Sequence, residues 1–526
     1  MEKTSYKSLY IIYAVYFLFI LLAIWECFCG SKDIDLVSFR HYDDLCFHYV
    51  INSHMKDLSQ LLNWNDYGYG WIYWIVATLY CSIGWLLCYF YNISWVLCVT
   101  PRLVSLVFTL ATVCVAYKLV GLYTKDKLLK SIYIFLLPLF PTYLYYGLLF
   151  SCNPHVEFFA ICAVYALAKN RLIEKKNLYI SFLCLCVAIG IKLTAVLILP
   201  IWGLLLLSRF NFKLNHFFWK SCLPLTILSI FFTLFLISPN VYIGVFDHSK
   251  WVNLYNMFKW ATTFGSNGES SFIINFQKGI IHSYTIWPIF VILFVMLLVT
   301  TVFTFYSECK RRCDKDIQFY DYIAYILGYV IAVSLLCYRI NHGPLFITYY
   351  YTCICFVLPL GLLLLEKISS KLRIIIIYFL FTSQIFYICA NAFHKNGILR
   401  YYYSIKNTIN EQHESLEMKQ LLDDTFRNKE YVIQFDGSTP HFINESKREH
   451  KNVSIKTAWH DFKISIKNNN PKAIVMYKKW LNQYNMYKKY HEDWKDRMNF
   501  VDHPVLDAYE YECIYEGKFY LLFIKK

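Results

Sequence analysis

Apolar runs of about twenty residues recur through the first three quarters of the chain, separated by short polar stretches rich in Lys and Arg. A helix of that length crosses a hydrocarbon core of about 30 Å. The first run, Ser8 to Cys27, ends at Trp25, Glu26 and Phe28, without the small-residue cleavage site of a signal peptide, so it reads as an anchor. Further spans are predicted at 101–121, 128–149, 155–169, 178–191, 194–209, 217–238, 284–305, 320–338, 344–365 and 372–393, about eleven in all. The run from Trp71 to Tyr91 is also long enough to cross. It carries Trp71, Tyr73, Trp74, Tyr80, Trp85, Tyr89 and Tyr91, however, and such aromatics prefer the membrane interface. It is therefore predicted to be interfacial or partly inserted.

Charge fixes the orientation of these spans. The clusters Lys118/Lys125/Lys127/Lys130, Lys169/Arg171/Lys175/Lys176, Arg209/Lys213/Lys220, Lys310/Arg311/Arg312/Lys315 and Lys367/Lys371/Arg373 all fall on one side, the cytoplasmic side, if Trp71–Tyr91 is not counted as a crossing. Lys3 and Lys7 place the N-terminus on that side too. The segments 29–100 and 239–283 then become large outer loops. Residues 1–394 form a transmembrane domain. Residues 395–526, with 22 Lys+Arg and 18 Asp+Glu, are expected to form a small α+β soluble domain on the outer side, with a helix at 408–422 and strands at 431–435 and 519–524.

Composition agrees. Hydrophobic residues make up 57% of the 526 and charged residues 17%, against about 45–50% and about 25% in soluble domains. The formal charge of +15 belongs mostly to the apolar part, so it speaks for membrane lipids and against nucleic acid. The 19 cysteines sit mainly inside apolar runs, as Cys162, Cys184, Cys186, Cys353 and Cys355 do, and no CxxC spacing marks a zinc site.

Five polar groups stand out. In the first outer loop, Asp43 and Asp44 are adjacent within Arg40-His41-Tyr42-Asp43-Asp44-Leu45-Cys46-Phe47. Two neighbouring carboxylates repel, which suits a general base or a site shared with a divalent cation; the alternative is a solvated loop. Asn153-Pro154 marks a turn, with His155 and Glu157 at the mouth of an apolar run. Lys192, in Gly190-Ile191-Lys192-Leu193-Thr194, falls at a break between spans and is expected at the outer surface, either snorkelling or meeting a lipid phosphate. Arg339 and His342 flank another outer turn and suit a phosphate. Asp247 and His248 lie in the second large loop.

In order and spacing, four segments resemble the GT-C superfamily of membrane glycosyltransferases, in the branch of the protein O-mannosyltransferases and the lipid A aminoarabinose transferase. They are Asp43-Asp44-x-x-Phe47 after the first span, and Tyr69-Gly70-Trp71 to Gly84 followed by Arg102 to Phe108. Next come Pro138-Leu139-Phe140 through Tyr145-Tyr146 to Asn153-Pro154, then Gly190 to Thr194 with Pro200. The resemblance implies an enzyme that takes a sugar from a polyprenyl-phosphate carrier and transfers it to a lipid, glycan or protein acceptor outside the cytoplasm. It implies Asp43 as the catalytic carboxylate and Asp44 as its partner. Lys192, Arg339 and His342 become candidates for the donor phosphate, with a divalent cation as an optional cofactor. Where many relatives carry Arg-Tyr late in the chain, this one has Thr348-Tyr349-Tyr350-Tyr351. A lipid-linked glycan polymerase or ligase is the enzymatic alternative. A lipid or solute transporter is the alternative of another class, and predicts charges near the midplane rather than at span ends. A bacterial plasma membrane is the expected location. An endoplasmic reticulum is the alternative, given the triplets Asn444-Glu445-Ser446 and Asn452-Val453-Ser454.

Overall fold

The computed structural model describes mainly residues 2–28, 69–91, 96–139, 147–169, 174–210, 216–239, 272–280, 287–310, 317–339, 351–393, 416–427, 431–435, 453–457, 468–478 and 510–526, with isolated positions between them. The chain divides into two compact units, Met1–Lys32 with Phe39–Arg400, and Asp33–Ser38 with Tyr401–Lys526.

The first unit is helical. Its helices are α1 (Glu2–Phe28), α2 (Trp71–Tyr91), α3 (Val96–Val120), α4 (Lys127–Leu139), α5 (Asn153–Ala168), α6 (Lys175–Ile191), α7 (Leu199–Arg209), α8 (His216–Ile237), α9 (Trp287–Lys310), α10 (Ile317–Arg339) and α11 (Ser370–Asn391). Among the described residues, six are long and apolar enough to cross a membrane: the apolar parts of α1, α2, α3, α8, α10 and α11. Leu223, Ile227, Ile230 and Phe231 on α8, and Leu372, Ile375, Phe379 and Phe386 on α11, are exposed. Outward apolar faces of this kind belong against lipid, and the chain is an integral membrane protein.

Side-chain contacts give the helices their direction. In α5 and α6, Ser181 Oγ donates to Ala163 O (2.7 Å), and Trp202 of α7 donates to that same Ser181 Oγ (2.7 Å). The three helices therefore run alternately up and down. One end of this group holds Asn153 and Lys192. At the other, Arg209 donates to Leu167 O and pairs with Asp321 of α10 (2.8 Å each). Tyr123, just beyond α3, donates to Asp321 at the same end (2.9 Å). Two further pairs stand nearby, Arg373 with Asp126 and Thr124 with Glu366. The Arg209–Asp321 pair joins α7 to α10, and removing one partner would strand the other charge at a cost of about 3–5 kcal/mol.

Helix α2 departs from this alternation. Its N-terminal neighbour Gly70 donates its amide to Ile191 O (2.9 Å), at the Lys192 end. Near its C-terminus, Gly84 lies against Val96 and Thr100, at the start of α3. The far end of α3 leads to Tyr123 and Asp321. Gly70 and Gly84 thus both lie toward the Lys192 end, although α2 is itself long and apolar enough to cross a membrane.

Two expected spans are corrected. The run 128–149 is not one helix: α4 stops at Leu139, and residues 148–150 are turn and bend. Pro138 and Pro141 remove amide donors there, and proline rings disfavour a continuing helix. The run 344–365 is not an α-helix in its described part. Residues 351–357 are mainly turns, followed by the 3₁₀ helix Leu358–Glu366. It traverses the bundle all the same, since Thr352 meets Glu157 at one end and Glu366 meets Thr124 at the other. The higher rise of 3₁₀ backbone, about 2.0 Å per residue against 1.5 Å, helps so short a stretch reach. Irregular backbone is tolerated at membrane depth only when protein surrounds it, and Leu358 to Leu365 are all buried. Gly361 is needed there, because a Cβ would come within 2.4 Å of Leu293 O on α9.

The second unit carries a five-stranded sheet in the order β2-β1-β3-β5-β4, formed by β1 (Tyr431–Phe435), β2 (Val453–Thr457), β3 (Ala473–Tyr477), β4 (Tyr511–Glu516) and β5 (Tyr520–Lys525). β1 runs parallel to β2 and β3, and β5 antiparallel to β3 and β4. Alternate residues feed two cores: Ile433, Val475 and Leu522 pack with Met418 and Leu422 on one face, and Ile474, Leu521 and Phe523 pack with Ile466 on the other. Residues 416–426 are helical; the start of the helix expected at 408–422 lies outside the described residues.

The arrangement of α2 has a direct test. In a background cleared of reactive native cysteines, Tyr91→Cys and Phe28→Cys should be labelled by an impermeant thiol reagent from one side of the membrane, and Lys125→Cys only from the other. Labelling of Tyr91→Cys from the Lys125 side would make α2 a full crossing.

Candidate active site

Helix α5 begins with Asn153 and has Pro154 in its first turn, where a missing amide hydrogen costs nothing. This start puts Asn153 and Glu157, four residues apart, on one face. Helix α6 ends at Ile191, and Lys192 caps it in an extended conformation (φ −152°, ψ 123°) before the 3₁₀ turn Leu193–Ile198 begins. Pro200 lies in the first turn of α7 and has no amide hydrogen to donate to Val196 O, which favours a fresh helix start there. Lys192 is thereby held at the break, as its sequence position suggested.

Its surroundings differ from the expected surface position. Lys192 is 5% exposed. Its Nζ donates to Asn153 Oδ1 (3.1 Å) and lies 5.5 Å from the centre of the Tyr69 ring. Glu157, 2% exposed, is within reach of the Lys192 charge and hydrogen-bonds Thr352. Lys192 therefore does not snorkel. A lysine deep in the membrane costs about 2.5–3.5 kcal/mol on insertion scales, and here an amide oxygen, an aromatic face and a carboxylate offset that cost.

His155 faces a different set of neighbours. Its ring packs on Phe108 (4.0 Å), stacks with Tyr80 (6.1 Å) and meets Tyr73 edge-on (5.5 Å). All four side chains lie near the Lys192 end of the bundle, which makes α2 a wall of this region. Tyr69 reaches Lys192 because Gly70 and Gly190 let the two backbones touch: a Cβ on Gly70 would sit 1.6 Å from Gly190 O.

The structure brings together Lys192, His155 and Glu157. Helix α10 ends at Arg339, two residues past Cys337 and on the opposite end of α10 from Asp321, so its terminus belongs to the same end. The Arg339 side chain, and Asp43, Asp44, His342, Asp247 and His248, lie outside the described residues. Among the described residues no three His, Cys, Asp or Glu side chains converge as a metal site would require. Sequence reasoning missed Asn153 as a partner of Lys192 and Thr352 as a partner of Glu157. It also passed over Arg102 and Glu26, both fully buried. The signal was present in each case: a polar side chain inside an apolar run seldom faces lipid.

No protein-family model matches the sequence, and no curated protein is similar to it in sequence. Solved structures do match. ArnT from Cupriavidus metallidurans, bound to undecaprenyl phosphate, is 11% identical with a TM-score of 0.55, over 97% of this chain and 98% of that one. The archaeal oligosaccharyltransferase AglB from Archaeoglobus fulgidus matches with TM-scores of 0.43 and 0.47 at 12% identity in two structures, over 82% and 97% of this chain and 64% and 74% of the AglB chains. The ArnT match carries the comparison: the chain shares the fold of that structure over 97% of its length.

Gly70→Ala should displace Tyr69 from Lys192 and lower the thermal midpoint of the purified protein, by the equivalent of about 1–3 kcal/mol for overpacking. Gly203→Ala is the control, because an added Cβ there meets nothing within 4 Å. Equal midpoints for the two variants would show that the Gly70–Gly190 approach does not hold the site.

Proposed function

We propose that this protein is an integral membrane glycosyltransferase that takes a sugar from a polyprenyl-phosphate carrier and transfers it to an acceptor on the extracytoplasmic side of the membrane. One observation carries the reading: a buried lysine stands at a helix break, at one end of a fold shared along its length with a protein solved bound to undecaprenyl phosphate. A fold hosts several chemistries, so the site has to argue the activity.

In this reading the bond from the anomeric carbon to the carrier phosphate breaks, and its electron pair leaves with the phosphate. The acceptor hydroxyl attacks the same carbon from the opposite face, inverting it, and its proton passes to Asp43. Asp44 orients or tunes Asp43, or shares a divalent cation with it. Lys192 meets the charge that grows on the departing phosphate, and the low-polarity surroundings strengthen that contact. Arg339 and His342 are the further cations proposed for the phosphate, His155 lines the region, and Asp247 and His248 are assigned to the approach of the acceptor. The acceptor is a lipid, a glycan or a protein. The C-terminal unit is assigned to the extracytoplasmic side as part of this proposal, and a bacterial plasma membrane is the proposed location. Among the described residues Lys192 and Glu157 lie at one end of the bundle and Arg209 and Asp321 at the other, which favours this reading over a transporter, whose ionisable groups belong near the midplane.

Lys192→Ala should raise the donor concentration for half-maximal transfer by about tenfold or more, since a hydrogen bond to a charged group is worth about 1.5–3 kcal/mol. Unchanged donor dependence would remove Lys192 from the phosphate site. Asp43→Asn should leave donor binding intact and cut the transfer rate by about 10²–10⁴-fold, the usual worth of a positioned base. Asp44→Asn should cost less, unless the pair shares a cation. In that case both variants lose equally and a chelator abolishes wild-type transfer. Near-wild-type transfer by Asp43→Asn would remove the base from this mechanism.

A further inference from the structure

Glu157 has no part in the mechanism above, yet it is buried beside the lysine assigned to the phosphate. It stands one turn from Asn153 on the same face of α5. Asn153 holds Lys192 Nζ at 3.1 Å, and Thr352 holds Glu157 from the side of the chain that precedes the 3₁₀ stretch. A carboxylate in this place offsets the very charge that is to attract the phosphate. Buried carboxylates are seldom kept without a partner or a use. Asn153 and Tyr69 also engage Lys192, so the carboxylate is one of several groups that hold it.

The chemistry of the carrier supplies a use. A sugar joined to a polyprenyl chain through phosphate is a phosphodiester with one negative charge. Once the sugar has left, the carrier is a phosphomonoester, whose second ionisation falls at about pH 6. The product is thus more negative than the donor. Lys192 alone would hold the product more tightly and leave it in the site. We propose that Glu157 sets the charge of this site so that it accepts the singly charged phosphodiester and disfavours the doubly charged phosphomonoester, which speeds release of the spent carrier. The inference rests on the reading of this site as one for a polyprenyl phosphate. Glu157 acts here through Lys192 and the local field, as a specificity-determining residue rather than a group that touches the reacting atoms.

The test compares two probes of the same chain length at pH 9, where Glu157 is ionised, polyprenyl phosphate and its methyl ester, binding to the full-length protein in lipid nanodiscs. The wild type should bind the methyl ester at least as tightly as the more highly charged monoester. Glu157→Gln, which keeps the shape of the side chain, should bind the monoester about tenfold more tightly, while the methyl ester changes by less than about threefold. Glu157→Asp should keep the wild-type preference. A purely structural role for Glu157 would weaken both probes together, and that result overturns the proposal. So does an unchanged monoester affinity in Glu157→Gln, or a tenfold preference of the wild type for the monoester. The last comparison uses no variant, so it decides even if Glu157→Gln does not fold. Failure of the wild type to bind either probe would overturn the lipid-phosphate reading itself, and this inference with it.

Discussion

A lysine ammonium inside an apolar bundle has to be held by something, and the way Lys192 is held organises one end of this protein. The helix pair α6–α7 breaks at Lys192, and Pro200 sits in the first turn of the helix that follows. The break delivers the amine to Asn153, at the start of α5, and to the face of Tyr69. Tyr69 is there only because Gly70 packs against Gly190 with no room for a side chain. Helix α2 follows directly from Gly70, so its Tyr73 and Tyr80 come to rest on His155. One buried charge thus links the turn before α2, the ends of α5 and α6, and the turns that follow Tyr351.

The opposite end is built differently. There Arg209 and Asp321 neutralise each other, with Tyr123 and Ser208 as further donors to the carboxylate. A pair satisfied in this manner fastens helices and leaves little charge to offer a ligand. At the Lys192 end the cation is held by a neutral amide and an aromatic ring, contacts that position it without cancelling it. The Glu157 carboxylate then moderates it from one turn away. That contrast, more than the number of charges, is why catalysis is assigned to one end.

Much of the fold was legible because a bilayer restricts what a sequence can do. Apolar runs of spanning length and one-sided Lys and Arg clusters located α1, α3, α5, α6, α8, α10 and α11, and the aromatic run 71–91 located α2. The misjudged spans, 128–149 and 344–365, share a cause. Hydrophobicity reports burial but not backbone shape, and residues surrounded by protein can adopt turns or 3₁₀ helix as readily as α-helix. Pro359 and Gly361 hinted at this. At the site, Lys192, His155 and Glu157 were visible as polar residues at span ends. The burial of Lys192, and its pairing with Asn153 across 39 positions, were not, because contacts between helices leave no local pattern in either one.

The central claim is that this bundle moves a sugar from a lipid phosphate. Purified full-length protein in nanodiscs, supplied with polyprenyl phosphates carrying radiolabelled sugars and with lipid, glycan and peptide acceptors, tests it most directly. The account expects label to pass to one acceptor class, with stoichiometric appearance of free polyprenyl phosphate and inversion at the anomeric carbon. If protein that binds polyprenyl phosphate neither transfers nor hydrolyses any donor, yet moves the lipid between leaflets, the protein is a transporter built on this fold and the enzymatic account is wrong.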